Sequence, residues 1–441
     1  MNPSEPPPLR YLSGFGNEFA TEALAGSLPK GRNSPQQVAH GLYAELVSGT
    51  AFTAPRHQMR RSWLYRRQPS VVAGRYAPYH QPHWVSGGAM PGPASALPPE
   101  PLRWRPFALP DAAAGAVDFI DGMRTLASCG DVELQTGMAA QVYLANSPMQ
   151  RRALVNADAE MLIVPQQGGL VITTEMGVLE VQPGQIALVP RGVAFKVALP
   201  DGAARGYVCE NYGAQFRLPE LGPIGSNGLA NPRDFQAPVA AFEPDSGAYE
   251  IVKKFGGRLW RGQQAQTPFN VIAWHGNLAP LRYDTAHFMA IGSISFDHPD
   301  PSIFTVLTSP SDTPGTANCD FVIFPPRWLV AENTFRPPWF HRNAMSEFMG
   351  LVCGQYDARA GGFEPGGASL HNAMVPHGPD AQAFDKATSA TLAPHKLDGT
   401  LALMFESRYR LRPTAFALNC VEFDANYADC WADLQQRPAP V

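Results

Sequence analysis

Proline and glycine are spread through the whole chain, and this feature constrains its fold more than any other. The 441 residues include 44 prolines and 40 glycines, whereas only 16% of them are charged. Proline breaks helix interiors, and glycine supplies the backbone conformations that tight turns need. The composition therefore favours short strands joined by many turns over long helices with charged surfaces.

Strand-like segments fall into two groups. In residues 161–199, apolar runs alternate with Gly or Pro turns, which is typical of antiparallel β-structure. The second group lies at residues 269–277, 302–309, 319–327 and 348–358. The sequence therefore predicts a mainly β protein.

Three further segments carry local predictions. Residues 80–106 are rich in proline and are expected to be irregular, as an arm or a long loop. Residues 111–128 begin with an acidic residue and are rich in alanine, which predicts a helix. Residues 424–436 predict a short helix near the C-terminus.

Charge and targeting patterns limit the partners. The formal net charge of −4 gives no reason to expect nucleic acid or an anionic membrane as a partner. The N-terminal residues lack a basic stretch followed by an apolar stretch, and no apolar run approaches 18 residues. Six cysteines without a CxxC pair suit a reducing compartment, so we expect a cytoplasmic protein.

Histidines are concentrated in the second group of strands. None lies between His83 and His275, whereas six of the eleven histidines fall within residues 275–377. These six are His275, His287, His298, His341, His371 and His377. A metal site of the histidine type therefore cannot be built from the first group of strands alone.

The segment HRNAMSE places His341 and Glu347 six positions apart. On a straight strand, six residues span roughly 20 Å. On a helix they turn through about 600°, which points the two side chains to different sides. Binding of one ion by both therefore requires a bend between them, and Asn343 and Ser346 are suitable bend residues.

A motif of the small β-barrels called cupins overlaps this segment. In that pattern a strand carries Glu, six residues and Gly, and a later turn returns a histidine to the same site. Glu347 and Gly354 fit the first part, and His371 follows the later turn one place late. In the first group of strands, Phe195 occupies the position of the histidine. Only the second group is therefore equipped for a metal.

These patterns lead to a prediction of fold class and domains. A chain of this length is too long for one ordinary core. We predict jelly-roll or cupin-like β-sandwich domains with few short helices. Residues 1–285 form a β-rich domain with an extended proline-rich arm, and residues 286–441 form a cupin-like domain that carries the metal.

The donor types point to a class of metal. Two imidazoles and one carboxylate on one face leave three positions of an octahedron open, which suits non-haem Fe(II). His341 and Glu347 would supply two ligands, and the third would be His371 or His377, between which spacing does not choose. Catalytic zinc also accepts two His and one Glu, so a zinc hydrolase or isomerase is an alternative. A binding or storage protein without catalysis is another.

Long segments of the chain resemble one known family. They include YLSGFGNEFATEA (11–23), PFNVIAWHGN (268–277), FDHPDPSIFTVLTSPS (296–311), FRPPWFHRNAMSEFMGL (335–351) and PGGASLHNAMVPHGPDA (365–381). These segments are similar to those of the homogentisate 1,2-dioxygenases, ring-cleaving enzymes of tyrosine and phenylalanine breakdown. The resemblance covers nearly the whole chain.

The resemblance implies roles for particular residues. It places the iron ligands of the family on His341, Glu347 and His377, and its catalytic base on His298. Substrate contacts fall on Tyr356 and again on His377. His371 then becomes a neighbour of the active site and not a ligand.

The resemblance also implies a reaction and an assembly. The substrates would be homogentisate and O₂, the product 4-maleylacetoacetate, and the cofactor Fe(2+). Family members assemble as hexamers, each a dimer of trimers, which implies a homohexamer here.

Overall fold

The computed structural model describes residues 9–87, 97–111, 113, 115–244, 247–292, 295, 297–359 and 361–437. Within these ranges the chain is mainly β, with two short α-helices, α1 (Ala381–Ser389) and α2 (Ala415–Asn419). The predicted fold class, mainly β with few short helices, is confirmed. Among the described residues, no helix combines the length and the apolar character needed to cross a membrane.

Most strands lie in the first 285 residues. They are β1 (Tyr11–Ser13), β2 (Phe19–Glu22), β3 (Tyr43–Ser48), β4 (Arg61–Arg66), β5 (Tyr76–Tyr79), β6 (Leu102–Trp104), β7 (Met123–Asp131), β8 (Thr136–Ala145), β9 (Arg152–Asn156), β10 (Glu160–Gln167), β11 (Leu170–Thr174), β12 (Gly177–Val181), β13 (Gln185–Val189), β14 (Ala194–Ala198), β15 (Ala204–Asn211), β16 (Phe235–Pro238), β17 (Tyr249–Phe255), β18 (Arg258–Gln264), β19 (Val271–Gly276) and β20 (Leu281–Asp284). The remaining strands are β21 (Thr305–Pro310), β22 (Ala317–Phe324), β23 (Arg327–Leu329), β24 (Ser346–Cys353), β25 (Ala368–His371), β26 (His395–Leu397), β27 (Leu401–Ser407) and β28 (Arg412–Pro413).

These strands form five sheets. The first part of the chain builds a nine-stranded sheet in the order β1-β16-β20-β13-β10-β15-β8-β7-β28 and a seven-stranded sheet in the order β12-β11-β14-β9-β17-β18-β5. It also builds a four-stranded sheet, β2-β19-β4-β3. The second part builds a six-stranded sheet in the order β21-β22-β27-β24-β25-β6 and the pair β23-β26. The predicted antiparallel strands of residues 161–199 are confirmed as β10 to β14.

The six-stranded sheet packs closely against the nine-stranded sheet. All residues of β24 except the last are buried, because β25 and β27 flank the strand and β10 of the other sheet contacts it. Tyr207 on β15 donates its hydroxyl hydrogen to the carbonyls of Leu351 (3.1 Å) and Gly367 (2.7 Å). Gly350 makes this approach possible, since a Cβ there would lie 2.7 Å from the Tyr207 ring.

The proline-rich segment is less irregular than expected. Residues 102–104 form β6, which pairs with β25 in the register Leu102↔Leu370 and Ala368↔Trp104. The prediction for residues 80–106 was therefore wrong at this strand, because pairing with a distant strand outweighs local composition. Its residues 88–96 lie outside the described ranges. The first part of the chain thus supplies the edge strand of the sheet that follows.

The predicted helix at residues 111–128 was wrong. Gly115 has a φ of +115°, which a helix does not allow, and the Asp118 carboxylate accepts hydrogen bonds from the backbone N–H of Ile120 and Asp121. From Met123 onward the chain is β7, paired along its length with β8. Pairing with the neighbouring strand β8 thus decides the structure of the last residues of the predicted helix.

The other local predictions have mixed outcomes. The C-terminal segment forms a 3₁₀ helix at Tyr427–Trp431 and not a longer α-helix. The second group of strands is confirmed as β19, β21, β22 and β24. The domain division at residue 285 stays a prediction, and the largest core cluster contains side chains from both sides of it, such as Trp274 and Phe348.

Candidate metal centre and its cavity

A pair of backbone hydrogen bonds holds His341 beside His377. The N–H of His341 donates to the carbonyl of His377 (2.8 Å), and the N–H of His377 donates to the carbonyl of His341 (3.0 Å). This isolated antiparallel bridge places the two rings 4.1 Å apart between centroids. Gly378 allows the approach, because a Cβ there would lie 2.6 Å from Phe340. The two imidazoles are thus brought together by backbone hydrogen bonds and not by an interaction between the rings.

The chain bends between His341 and Glu347, as their spacing requires. The bend falls at residues 344–345, and β24 begins at Ser346. Asn343 precedes the bend, and its amide donates a hydrogen bond to Oε1 of Glu347. The predicted bend is therefore confirmed, although Asn343 and Ser346 flank it and do not form it.

The two histidines direct the same ring nitrogen toward Glu347. Nδ1 of His341 lies 2.6 Å from the Trp339 carbonyl, and Nδ1 of His377 lies 3.0 Å from the Val375 carbonyl. A carbonyl only accepts, so each Nδ1 carries a hydrogen, and in the neutral ring Nε2 is the nitrogen with the lone pair. Nε2 of His377 lies 3.1 Å from Oε2 of Glu347, and Nε2 of His341 lies 3.8 Å from Oε1. Metal-binding histidines show this arrangement, because the second hydrogen bond orients the ring.

His371 lies beside the same carboxylate but is held differently. Its Nδ1 is 3.6 Å from Oε2 of Glu347, and its Nε2 is 2.9 Å from the Tyr427 hydroxyl. The Arg359 guanidinium donates to that hydroxyl, which can in turn donate its own hydrogen to Nε2 of His371. The remaining proton then sits on Nδ1 and points toward Glu347. With no lone pair free, His371 is a poor ligand in this tautomer.

The three side chains whose ligand atoms all lie within 4.8 Å of one another are His341, Glu347 and His377. Burial alone would raise the pKa of Glu347, yet its contacts with His341, His371 and His377 hold that pKa well below its usual range. Burial lowers the pKa of His341, but the Glu347 carboxylate and the Trp339 carbonyl raise it above its ordinary value. The site therefore offers one carboxylate anion and two Nε2 atoms, and a cation that binds there displaces any proton on those nitrogens.

Glu347 belongs to a row of titratable residues across four adjacent strands. The register pairs Asp320 with Glu406, Glu406 with Glu347, and Glu347 with His371, so the four lie on one face of the sheet. Burial, reinforced by the charge of Glu347, raises the pKa of Glu406 to about 8. Burial likewise raises the pKa of Asp320. At neutral pH Glu406 is therefore mainly protonated, which leaves Glu347 as the anion beside the histidines.

These residues line a cavity of about 350 Å³. This is within the size range of small-molecule sites. Six aromatic side chains contribute to its wall: Phe304, Phe324, Trp339, Tyr356, Phe363 and Tyr427. Arg103, from the first part of the chain, also lines it. The cavity can therefore enclose a small aromatic ring next to the cluster of His341, Glu347 and His377.

The other two residues with predicted roles line the same cavity. His298 does not contact the cluster, since Trp339 lies between them with its ring 4.8 Å from His298 and 6.4 Å from His341. Nδ1 of His298 is 3.1 Å from the Pro299 carbonyl, and Nε2 is 2.9 Å from the Arg336 carbonyl. The other residue, Tyr356, is packed between Phe324 and Phe363.

Several cavity residues were not predicted from the sequence. Glu406 is a lone carboxylate inside the apolar run LALMFES, and Asp320 lies inside CDFVIF. An isolated acid within an otherwise buried strand is a recognisable pattern, because burying a charge is costly. Arg359 and Tyr427 leave no comparable pattern, because only the tertiary structure brings them to the site.

The fold and the site together define a class of protein. It is a β-sheet protein with two imidazoles and one carboxylate gathered beside an aromatic-lined cavity, as in mononuclear metal enzymes of the two-histidine, one-carboxylate type.

Comparison with known families identifies the chain more closely. Residues 10–285 match the family described as homogentisate 1,2-dioxygenase N-terminal, and residues 286–438 match homogentisate 1,2-dioxygenase C-terminal. The chain therefore belongs to the homogentisate 1,2-dioxygenase family.

Solved structures give only a weak likeness. A putative glyoxylate-induced protein from Pseudomonas aeruginosa is 13% identical, with a TM-score of 0.30, over 77% of this chain and 99% of the other. A salicylate 1,2-dioxygenase from Pseudaminobacter salicylatoxidans is 10% identical, with a TM-score of 0.27, over 63% and 75%. A cupin 2 conserved barrel protein from Leptotrichia buccalis is 7% identical, with a TM-score of 0.26, over 64% and 88%. TM-scores this low give no information about the function of this chain.

Proposed function

We propose that this protein is a ring-cleaving dioxygenase that converts homogentisate and O₂ to 4-maleylacetoacetate in the breakdown of tyrosine and phenylalanine. The observation that carries the proposal is the convergence of two Nε2 lone pairs and one carboxylate beside an aromatic-lined cavity. Membership of the family supports the substrate and the product.

The metal in this proposal is Fe(II), held by His341, Glu347 and His377. The donor set fits such an ion, because both histidines keep Nε2 free through Nδ1–H bonds to backbone carbonyls and Glu347 stays ionised. Three donors on one side leave room for other ligands. When bound, the ion would lower the cost of ionising a phenol and hold O₂ next to the ring.

His298 is proposed as the general base. A free phenol has a pKa near 10, so ionising it at neutral pH costs roughly 4 kcal/mol. The ring nitrogens of His298 face the carbonyls of Pro299 and Arg336, and a neutral imidazole can donate to only one of them. After accepting a proton the ring can donate to both. A backbone carbonyl is therefore already in place to accept a hydrogen bond from the proton that His298 takes from the substrate.

Tyr356 and His377 are proposed to contact the substrate. Burial, reinforced by Asp357, raises the pKa of Tyr356, so its hydroxyl stays protonated and can donate a hydrogen bond into the cavity. Phe324 and Phe363 hold its ring in place from two sides. His377 lines the same cavity, and its ring lies beside those of His341 and His371.

The test of the proposal compares two metals. The chain is freed of metal, loaded with Fe(II) or Zn(II) without air, and then given homogentisate and isotopically labelled O₂. We expect the iron form to consume one O₂ per homogentisate and to place both labelled atoms in the ring-opened product, followed by absorbance and mass. We expect no oxygen uptake by the zinc form. Product without oxygen uptake, or equal activity with zinc, would support the hydrolase or isomerase alternative.

We also propose a homohexamer, a dimer of trimers, and a cytoplasmic location. Exposed aromatic side chains near the site, such as Trp339 and Phe340, are suitable material for contacts between subunits. Sedimentation equilibrium measures the mass of the assembly. A monomer at micromolar concentration would contradict the hexamer.

A further inference from the structure

Three arginines line the cavity, and two of them have carboxylate partners. Arg103 donates from Nε (2.8 Å) and Nη2 (2.5 Å) to Asp424. Arg327 donates from Nη2 to Asp357 at 2.9 Å. Their positive charges are therefore balanced within the protein.

The third arginine, Arg359, makes its side-chain hydrogen bonds to neutral groups within the described part of the chain. It is 7% exposed, and within the part of the chain that the structure describes no carboxylate lies within 4.0 Å of its guanidinium. Nη2 donates to the Tyr427 hydroxyl, and Nη1 lies 3.5 Å from the Cys430 sulfur. Its central carbon lies 5.1 Å from the ring centroid of Tyr427 and 5.0 Å from that of Trp431.

This arrangement is costly unless an anion completes it. A buried charge without a counter-ion loses its hydration, and hydroxyl, thiol and ring contacts return only part of that free energy. A guanidinium carries five N–H groups in a planar fork, and the two contacts above leave most of them for another acceptor. A carboxylate matches that fork geometrically and electrostatically.

The position of Arg359 relative to the metal centre limits the kinds of ligand that can carry this anion. Arg359 is linked through the Tyr427 hydroxyl to His371, and the His371 ring stacks on His377 with 4.0 Å between centroids. Arg359 also lines the cavity that contains the centre, so an anion bound by Arg359 shares this space with a ligand at the centre. An aromatic ring bound at the centre can therefore direct a short carboxylate arm toward Arg359.

We propose that Arg359 is the residue that binds the carboxylate of the substrate and so selects aromatic acids over neutral phenols. This inference rests on the proposed function, since it assumes that a phenol binds at the metal centre. Tyr427 and Trp431 fix the plane of the guanidinium through their ring faces. The Arg359 fork and the centre then recognise the two ends of one ligand.

Two ligands that differ only in the carboxylate test this proposal. They are 2-hydroxyphenylacetate and 2-(2-hydroxyphenyl)ethanol, each titrated calorimetrically into the Fe(II)-loaded protein without air. We expect the acid to bind at least tenfold more tightly than the alcohol. We expect Arg359→Gln to weaken binding of the acid about 10- to 100-fold, the range for hydrogen bonds to charged groups, and to leave binding of the alcohol within about twofold. Arg359→Lys, which keeps the charge but not the fork, is expected to fall between.

Arg105→Gln is the matched control, because Arg105 is an exposed arginine whose guanidinium donates to the Val421 carbonyl outside the cavity. It should bind both ligands as the unchanged protein does. Equal affinity of the unchanged protein for acid and alcohol would overturn the proposal, even if Arg359→Gln did not fold. Equal weakening of both ligands in Arg359→Gln would also overturn it, since that result indicates a packing role.

Turnover of homogentisate, measured separately, distinguishes the two proposals. Selection of the acid without ring cleavage refutes the dioxygenase function and keeps the carboxylate site. Ring cleavage without selection of the acid supports the dioxygenase function and refutes the carboxylate site.

Discussion

Two buried glutamates, one in each large sheet system, show how the same side chain serves structure in one place and chemistry in another. Glu210 lies on β15 of the nine-stranded sheet, and Glu347 lies on β24 of the six-stranded sheet. Both are almost completely buried. They differ in the partners that surround them.

Glu210 is surrounded by permanent donors. Its carboxylate accepts hydrogen bonds from Trp84 (3.2 Å), Gln141 (2.7 Å) and Asn156 (2.5 Å), and Lys254 lies 3.0 Å away. Lys254 is itself fully buried. The negative charge of Glu210 is therefore compensated within the protein, and no ligand is needed.

Glu347 faces groups that are not permanent cations. Two of its neighbours, His341 and His377, direct Nε2 lone pairs toward the same space, and that space opens into the cavity. A divalent cation can satisfy the carboxylate and both lone pairs at once. A buried carboxylate that is held by an indole, two amides and a lysine serves structure, whereas one beside two imidazole Nε2 atoms at a cavity can serve a metal site.

The largest expected effect comes from removing a metal ligand. His341→Ala should abolish both bound iron and turnover, because two donors do not hold the ion as three do. Metal content by mass spectrometry and oxygen uptake are the measurements. His395→Ala is the control, since His395 is an exposed histidine of the same part of the chain, on β26. Full iron content in His341→Ala would remove His341 from the metal site.

Removing the proposed base, His298, should lower turnover without changing the metal content. His298→Ala is expected to keep its iron and to lose turnover by about 10²- to 10⁴-fold, the usual contribution of general acid–base catalysis. The rate constant at saturating homogentisate is the quantity to measure. Activity close to that of the unchanged protein would mean that another group accepts the proton.

Glu210→Gln should affect stability without affecting the metal. The change leaves Lys254 buried with less compensation, and breaking a buried ion pair costs about 3–5 kcal/mol. We expect the free energy of unfolding in urea to fall by about that amount, with iron per folded chain unchanged. The double variant Glu210→Gln, Lys254→Met should recover part of the loss. If folded Glu210→Gln lost its iron, Glu210 would also be needed for the metal site, and the two glutamates would not differ in role.

A smaller effect is expected from the pH dependence of stability at Glu160. Burial, opposed by the Phe216 N–H, Arg60 and Arg191, raises the pKa of Glu160 to about 7. The folded protein therefore holds a proton that the unfolded chain, with its lower pKa, has released. Stability from this group is complete below the unfolded pKa, near 4.5, and is lost as pH rises toward 7.

We expect this loss to be about 3 kcal/mol and to be absent in Glu160→Gln, measured by urea unfolding between pH 4.5 and 8. The unchanged protein and the variant should therefore differ in slope across this range. Identical slopes would show that Glu160 is ionised in the folded state, as Glu347 is.

Local patterns predicted much of the fold, and their failures have one cause. The strands of residues 161–199 follow directly from alternation and turn residues. The helix expected at residues 111–128 and the irregular chain expected at residues 102–104 were wrong, because residues 123–131 pair with β8 and residues 102–104 pair with β25. Such pairing depends on sequence elsewhere in the chain, which a local pattern does not contain.

For the site, the sequence by itself determined where the chemistry could lie and which donors it could use. The clustering of histidines and the spacing of His341 and Glu347 required a bent segment in the second part of the chain. Tertiary structure favoured His377 over His371 as the third donor, because a backbone bridge orients one ring while the Tyr427 hydroxyl occupies the other. It also placed Arg359 at the cavity with no carboxylate within 4.0 Å among the residues that the structure describes. The direction of a lone pair and the balance of a charge depend on contacts between distant strands, so only folding decides them.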